Sequence, residues 1–178
     1  MNVGSLKNLK KKVGFKMNSL NIPDIGYIDM DGVTANFMGA MYQLCPEIDN
    51  YPMEERHKMV DDLCAKNSRV FLNLEPIQDS IESIKYLMKK HEIYFLSTPM
   101  WHVHESFTDK RLWIDRYFGA EAEKRLILSH RKDLNFGKFL IDDRIAHGVD
   151  LFVGEHIHIF THKFPDWKTV IKYIDAKY

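Results

Sequence analysis

The stretch YIDMDGV, residues 27–33, places Asp29 and Asp31 directly after a short apolar run that begins at Ile25. The run does not alternate between polar and apolar residues, which is typical of a strand buried on both faces of a parallel sheet. In open α/β sheets, ligands bind beyond the carboxyl ends of the strands. The stretch therefore predicts an α/β fold and indicates a site at the end of its first strand.

Similar apolar runs recur along the chain and predict four more strands: IYFLS (93–97), RLIL (125–128), FLIDD (139–143) and IHIF (157–160). Between them, apolar residues spaced by three and four predict amphipathic helices: PIQDSIESIKYLMKK (76–90), SFTDKRLWIDRYFG (106–119) and DWKTVIKYIDA (166–176). Strands that alternate with helices favour a parallel sheet covered on both faces, the doubly wound α/β class.

One segment after the first strand interrupts this alternation. Residues 38–75 hold two helical patterns, MGAMYQLC and PMEERHKMVDDLCAKN, with no strand between them, which is long for a simple crossover. We interpret residues 38–75 as a small helical cap lying over the site, and residues 24–37 and 76–178 as the core. Residues 1–23 contain five lysines and no acidic residue, and we predict that they form a disordered basic head. A tether to nucleic acid or to a membrane surface is the alternative for this head.

The composition limits the classes of protein and partner. The 178 residues, 45% of them hydrophobic, suit one compact domain, and Lys+Arg and Asp+Glu both number 25. This balance indicates neither a membrane nor a stable nucleic-acid partner, and no run of about 18 apolar residues predicts a membrane span. Cys45 and Cys64 lack a CxxC pattern, which argues against zinc or a disulfide framework and favours reduced thiols in a cytoplasmic protein.

A pair of histidines and one tryptophan each have a structural and a functional interpretation. His156 and His158 alternate along the last predicted strand, so they would share one face, where zinc could use them. Because no Cys or carboxylate lies at ligand spacing, we interpret them as surface or core histidines. Trp101 follows the second predicted strand, where it would either line a pocket or pack in the core.

Polar side chains stand at the ends of three of the predicted strands: Asp29 and Asp31, Ser97 and Thr98, and Asp142 and Asp143. The ends of parallel strands share one edge of the sheet, so four carboxylates would converge there and repel one another. Protons or a bound cation must relieve that repulsion, and Mg²⁺ suits a site that also takes a substrate phosphate. Lys132, after the third strand, would add a fixed positive charge beside a transferring phosphoryl group.

Two aspartates at positions i and i+2 can divide phosphate-ester hydrolysis into two steps. Asp29 would accept the phosphoryl group, while Asp31 would protonate the leaving oxygen and later activate water. Either aspartate pair alone is weak support, since such pairs commonly form solvated turns or helix caps. The ordered combination of both pairs, the hydroxyl residues and the lysine is much more specific.

The motifs DMDGV, LSTP, Lys132 and LIDDR, in this order, resemble the four motifs of the haloacid dehalogenase (HAD) superfamily of phosphatases. Longer segments, including DMDGVTANF, FLNLEPI, FLSTPMW, DKRLWIDRYFG and RLILSHRKDLNFGKFLIDDR, resemble the 5′(3′)-deoxyribonucleotidase family over residues 25–175. The resemblance implies a Rossmann-like core with a small helical cap. It also implies Mg²⁺-dependent removal of phosphate from nucleoside monophosphates, typically deoxyribonucleotides, through an aspartyl-phosphate.

The resemblance also implies roles for individual residues. Asp29 matches the nucleophile, Asp31 the general acid and base, and Lys132 the catalytic lysine. The implied Mg²⁺ ligands are the carboxylates of Asp29 and Asp142 and the backbone carbonyl of Asp31, and Asp143 would orient the site. The residues implied to bind phosphate or substrate are Ser97, Thr98, Phe37 and His130.

Two departures from the family pattern bear on the substrate. His130 stands where some members carry an arginine that contacts phosphate, and a histidine is shorter and only partly charged near neutral pH. The predicted cap lacks the Phe-Trp pair on which the animal enzymes stack the base; its aromatics are Tyr42, Tyr51 and Phe71. Base and sugar preference therefore stay open, as do the choice of 5′ or 3′ phosphate and assembly into a homo-oligomer.

Two other functions compete with the nucleotidase. One is a HAD phosphatase that acts on another small phosphate ester or on a nucleic-acid 3′ phosphate, since a small cap leaves the site open. The other is a non-catalytic HAD-like binding protein. The second alternative usually requires loss of a motif residue, and the acidic motif residues are all present in this sequence.

Overall fold

The computed structural model describes residues 22–67 and 69–178, so residues 1–21 of the predicted head lie outside the described part. Its centre is a five-stranded parallel sheet with the strand order β3-β2-β1-β4-β5. The strands are β1 (Ile25–Ile28), β2 (Glu92–Ser97), β3 (Leu126–Leu128), β4 (Phe136–Asp142) and β5 (Val153–His158). The predicted parallel α/β sheet is confirmed, and β1 lies in its middle.

In the described part of the chain, five α-helices accompany the sheet: α1 (Phe37–Leu44), α2 (Met53–Lys66), α3 (Ser80–Lys90), α4 (Glu105–Phe118) and α5 (Trp167–Lys177). Local sequence explains their limits. The Asn36 side chain accepts a hydrogen bond from the Gly39 N–H at the start of α1, and Asp166 caps Thr169 in the same way at the start of α5. Gly119, with φ of +58°, ends α4 where it was predicted to stop.

The two faces of the sheet are covered differently. The larger core cluster combines one sheet face with buried residues of all five helices, among them Met41, Cys64, Ile84, Trp113 and Trp167. The smaller cluster, on the other face, contains Tyr27, Leu96, Leu140, Val149 and Phe152. Val149 and Phe152 belong to the short β4–β5 connection, which has room for a 3-10 turn (Val149–Leu151) but not for a covering helix.

The segment that returns from α2 to the core is fixed on α4. Trp113 donates its indole N–H to the carbonyl of Leu74 (2.8 Å), and Arg116 donates to the carbonyl of Leu72 (2.8 Å). These bonds hold a 3-10 turn, Phe71–Asn73, against the helix. The segment predicted to close the cap is therefore joined to the core by its backbone carbonyls, and its Phe71 side chain is also buried there.

Among residues 22–67 and 69–178, no helix combines the length and apolar character needed to cross a membrane.

Candidate active site

The ends of the three central strands bring the predicted site residues together. Asp29 follows β1, Ser97 ends β2 and Asp142 ends β4, and β1 pairs with both neighbours. The Asp29 N–H donates to the carbonyl of Ile141 (2.9 Å), which continues the β1–β4 ladder into the site. Parallel pairing on both sides of β1 is therefore what brings these three ends to one edge.

Lys132 joins two of the acidic residues. Its Nζ lies 2.9 Å from Asp29 Oδ1 and 2.5 Å from Asp142 Oδ2, and the residue is almost fully buried. Burial by itself would lower the pKa of Lys132, but the Asp29 and Asp142 carboxylates outweigh it and raise the pKa. Lys132 therefore keeps its positive charge beside the predicted nucleophile, as its predicted role requires.

Three carboxylates form an acidic cluster, defined here as Asp29, Asp142 and Asp143. One oxygen of each lies within 4.8 Å of the others. Burial, and then the charge of Asp29, raise the pKa of Asp142 to about 6, although Lys132 opposes the shift. Burial and the charges of Asp29 and Asp142 raise the pKa of Asp143 to about 7. Asp142 and Asp143 are thus held where a negative charge is unfavourable unless a cation is near.

The acidic cluster fits a hard divalent cation. Its oxygen donors are the kind that Mg²⁺ prefers, and Asp143 Oδ1 is buried without a hydrogen-bond donor among the described residues. A buried oxygen that lacks a donor is costly, whereas a cation would satisfy it. The carboxylate of Asp143 belongs to the acidic cluster, whereas the carboxylate of Asp31 does not. If Asp31 is a metal ligand, its backbone carbonyl is therefore the group that would bind, as the family resemblance implies.

A tight turn after β1 shapes the site. The Thr34 hydroxyl donates to the Asp29 carbonyl (2.8 Å), and the Thr34 N–H donates to the Met30 carbonyl (2.8 Å). Gly32 has φ of +80°, and a Cβ there would lie 2.5 Å from Asp143 Oδ2. Glycine is therefore needed twice, for its backbone conformation and for the close approach of the carboxylate of Asp143.

Asp31 occupies a second environment. Its Oδ2 lies 2.5 Å from Nζ of Lys110, a fully buried residue of α4 that also donates to Ser97 Oγ (3.1 Å). Burial raises the pKa of Asp31, although the charge of Lys110 opposes the shift. A carboxyl group with a raised pKa is suited to carry and release a proton.

Lys110 was not among the residues predicted from sequence. It lies on one stripe of α4 with the half-buried Phe107 and the buried Ile114 and Phe118, at spacings of three and four. A lysine on such a stripe is rarely buried without an acidic partner. This position was the sequence signal that could have identified it.

The aromatic residue predicted to face the substrate lies on the Asp31 side of the site. Phe37 stacks on Phe71, with ring centroids 5.6 Å apart and planes inclined by 14°. Lys110 Nζ is 5.1 Å from the centre of the Phe71 ring. The structure thus provides a Phe-Phe pair, one ring from the core and one from the predicted cap, although the sequence lacks the Phe-Trp pair of the animal enzymes.

The remaining predicted residues lie at different depths. Thr98 lines the pocket beside Asp29 and Lys132, and its hydroxyl donates to the Ser129 carbonyl (2.9 Å). Ser97 is fully buried and lies outside the pocket lining. His130 lies outside this pocket lining and meets the ring of Trp101, with centroids 5.5 Å apart.

Other pocket residues were not predicted. Arg144, Ala146 and His147, from the β4–β5 connection, also line the pocket. Trp101 is 73% exposed, so the interpretation as a core tryptophan is wrong. These residues lie on loops, whose course a sequence pattern does not define.

The family match agrees with this arrangement. A sequence model of the family described as 5′ nucleotidase, deoxy (pyrimidine), cytosolic type C, matches residues 24–165. A Vibrio phage KVP40 protein, provisionally named as a 5′(3′)-deoxyribonucleotidase, is 41% identical over 155 residues, which cover 86% of this chain and 85% of that protein.

More distant relatives carry the same name. The human protein named 5′(3′)-deoxyribonucleotidase, cytosolic type, is 26% identical over 138 residues, which cover 66% of this chain and 69% of the human protein. A Staphylococcus epidermidis protein, also provisionally named as a 5′(3′)-deoxyribonucleotidase, is 27% identical over 172 residues, covering 84% of this chain and 94% of that protein. Motifs, fold and relatives agree, and the chain belongs to the 5′(3′)-deoxyribonucleotidase family of the HAD superfamily.

Proposed function

We propose that the protein is a Mg²⁺-dependent phosphatase that hydrolyses (deoxy)nucleoside monophosphates to nucleoside and phosphate through an aspartyl-phosphate on Asp29. Membership of a family whose relatives are named 5′(3′)-deoxyribonucleotidases supports hydrolysis of a phosphate monoester. The observation that carries the mechanism is the separation of Asp29 and Asp31 between two buried lysines, Lys132 and Lys110.

In the first step, an Asp29 carboxylate oxygen attacks phosphorus, and the bond between phosphorus and the ester oxygen breaks. Asp31 gives its proton to that oxygen, which leaves as the hydroxyl of the nucleoside. In the second step, Asp31 takes a proton from water, and the water oxygen attacks phosphorus. The bond to Asp29 then breaks and phosphate is released, so both aspartates return to their starting states.

The charges around Asp29 suit this role. Lys132 keeps its proton between Asp29 and Asp142, so a cation lies beside the carboxylate before the dianionic substrate arrives. The proposed Mg²⁺ ligands are the Asp29 and Asp142 carboxylates and the Asp31 carbonyl, with Asp143 orienting the site. When bound, Mg²⁺ supplies charge neutralisation for the phosphoryl oxygens.

The phosphate contacts follow from hydrogen-bond direction. Ser97 Oγ accepts a hydrogen bond from Lys110, which leaves the serine O–H free to donate to a phosphate oxygen. Thr98 lines the pocket beside Asp29, and Lys132 adds charge there. We propose that residues 38–75 form a cap whose Phe71 ring, with Phe37, lies beside the base or sugar, and that His130 contacts the outer part of the substrate.

The cellular setting belongs to the same proposal. Cys45 and Cys64 are free thiols, which supports a reducing, cytoplasmic environment. The expected partner is a small nucleotide and not a stable nucleic-acid or membrane partner.

A phosphate-release panel tests the proposal. Purified protein is given 2′-deoxy and ribo nucleoside monophosphates with 5′ or 3′ phosphates, and p-nitrophenyl phosphate, each with Mg²⁺ and with EDTA. Fast Mg²⁺-dependent release from deoxynucleotides is the expected result. Release from the aryl ester alone would favour a HAD phosphatase for another ester, and release from none would favour the non-catalytic alternative.

A further inference from the structure

The acidic cluster requires an unusual course of the backbone at Asp142 and Asp143, which the proposed catalytic roles do not explain. Asp142 and Asp143 are consecutive, yet both carboxylates meet Asp29. Consecutive residues of an extended strand point to opposite faces, so the chain has to leave the strand directly after Asp142, where β4 ends. Mutual repulsion of the three carboxylates works against this convergence until a cation binds.

Two histidines of β5 hold the backbone at this bend. His156 Nε2 lies 3.1 Å from the carbonyl oxygen of Asp142, and His158 Nε2 lies 2.8 Å from that of Asp143. A carbonyl only accepts, so each Nε2 must carry the hydrogen. The two rings stack, with centroids 4.9 Å apart and planes inclined by 23°, so each ring limits the movement of the other.

We propose that His156 and His158 are positioning residues that keep the Asp142–Asp143 backbone bent, so that both carboxylates are available to one divalent cation. This inference rests on the proposed function, because it concerns the same Mg²⁺ site. Neither histidine is a proposed ligand, since the ring nitrogen of each that faces the site is engaged with a carbonyl. Groups that orient metal ligands typically change metal affinity by about 10- to 100-fold when removed.

The two histidines differ in how much of the hydrogen bonding to their carbonyl they supply. The Asp142 carbonyl also accepts the N–H of Ile159 (3.2 Å), and the Arg144 N–H donates to Asp142 Oδ1 (2.9 Å). For the Asp143 carbonyl, His158 supplies the hydrogen bond among the described residues. Loss of the His158 donor therefore frees the backbone more than loss of the His156 donor.

The test compares His158→Leu with His158→Gln. Leucine fills similar space without a donor, whereas the glutamine amide places a donor nitrogen near the position of Nε2. Mg²⁺ affinity is measured by calorimetry and by the Mg²⁺-dependent rise of Tm. We expect His158→Leu to weaken Mg²⁺ binding about tenfold, His156→Leu to weaken it less, and His158→Gln to stay near wild type.

Glu155→Gln is the matched control on the same strand. The Glu155 carboxylate accepts hydrogen bonds from residues of α5 and lies outside the acidic cluster, so this variant should lower Tm and leave Mg²⁺ affinity unchanged. If His158→Leu does not fold, His158→Asn replaces it, because its amide is too short to reach the carbonyl.

Two outcomes would overturn the inference: a folded donor-free variant that binds Mg²⁺ like wild type, or a His158→Gln variant as weak as His158→Leu. A wild-type protein that does not bind Mg²⁺ would overturn it together with the metal assignment. Failure of the proposed substrate is seen separately, as Mg²⁺ binding without phosphate release from any nucleotide.

Discussion

At the scale of single residues, two aspartates that are two positions apart have separate lysines. Lys132 lies between Asp29 and Asp142, whereas Lys110 pairs with Asp31 and with Ser97. The pairs come from different elements, a 3-10 turn before β4 and the helix α4, so each can be altered alone. This separation makes the two proposed roles testable one at a time.

Asp29→Asn should reduce phosphate release roughly a thousandfold or more, because an amide cannot act as the nucleophile. The volume hardly changes, so the circular dichroism spectrum should stay that of the wild type. Asp150→Asn, at an exposed position, serves as the control and should keep full activity. Appreciable turnover by the Asp29→Asn variant would exclude covalent catalysis by Asp29.

Lys110→Met should slow hydrolysis of a deoxynucleotide on the order of a hundredfold, because Asp31 loses the contact that holds it for proton transfer. In the first step, measured as the release of the leaving group before the steady state, p-nitrophenyl phosphate should be affected much less, since nitrophenolate leaves without a proton. Rates on both substrates are compared with those of Arg111→Met, a change at the exposed neighbouring position. If the rates on the two substrates fall by the same factor, Lys110 has a structural role and does not act through proton transfer by Asp31.

At the scale of elements, the sequence predicted all five strands and the helices, but it placed the start of β4 too late and shifted β5, whose predicted run, 157–160, shares only residues 157 and 158 with the observed strand. β4 begins at Phe136 and β5 at Val153, whereas the apolar runs indicated starts at residues 139 and 157. Gly137 and Gly154 interrupt the runs, and glycine normally argues against a strand interior. In the sheet, Gly137 lies so close to the Ile25 carbonyl that a Cβ would be 2.6 Å from its oxygen, so the glycine permits strand pairing there.

In the candidate site too, sequence patterns predicted some residues and not others. Motif residues at strand ends were predictable because parallel strands share an edge, and the structure brings Asp29, Lys132, Asp142 and Asp143 together. The position of Lys110 in the apolar pattern of α4 indicated a buried lysine with an acidic partner, but not which partner. The contacts of Lys110 and of His158 were not predictable, because they depend on how a helix or an edge strand packs against the site. Side chains that act across elements need the tertiary structure to be seen.

The contact between β5 and α5 gives an element-scale prediction. Glu155 accepts hydrogen bonds from Tyr173 (2.6 Å), Lys177 (2.7 Å) and Tyr178 (2.9 Å). Partial burial would raise the pKa of Glu155, but these bonds outweigh it and the pKa lies below its usual value. Glu155→Gln should therefore lower the free energy of unfolding at neutral pH by about 1–2 kcal/mol.

The difference in the free energy of unfolding between the wild type and Glu155→Gln should become smaller as the pH falls. A lowered folded-state pKa stabilises the protein above the unfolded value of 4.5, and this contribution disappears as pH falls through the folded value. Urea melts at several pH values should thus show the gap closing below about pH 4.5. Glu121→Gln, at an exposed position, is the control, and a gap that persists in acid would contradict the ionic origin.

At the scale of the whole molecule, the acidic cluster links cation binding to global stability. Its carboxylates come from the ends of β1 and β4 and from the residue after β4, so the cluster exists only in the folded chain. A cation that binds the folded state alone stabilises it by mass action. The protein as a whole should therefore report Mg²⁺ binding through its melting temperature.

Mg²⁺ at a hundredfold excess over its Kd should raise the free energy of unfolding by about 2.7 kcal/mol. For a chain of this size, that corresponds to a rise in Tm of roughly 5–10 °C. Differential scanning fluorimetry with Mg²⁺ and with EDTA measures the shift, and Asp142→Asn should remove most of it. A wild-type Tm that does not change in millimolar Mg²⁺ would contradict a formed cation site.

The central place of β1 also affects how the protein is made. Chains emerge from the ribosome with the amino terminus first, so β1 and the predicted nucleophile appear early. Its partner strand β4 and Lys132 follow more than a hundred positions later. A nascent chain therefore carries the DMDGV motif without the lysine or the second acidic pair, and closing this distant pairing is intrinsically slow. The complete set of reacting groups assembles late in synthesis, so a half-made chain has no competent site.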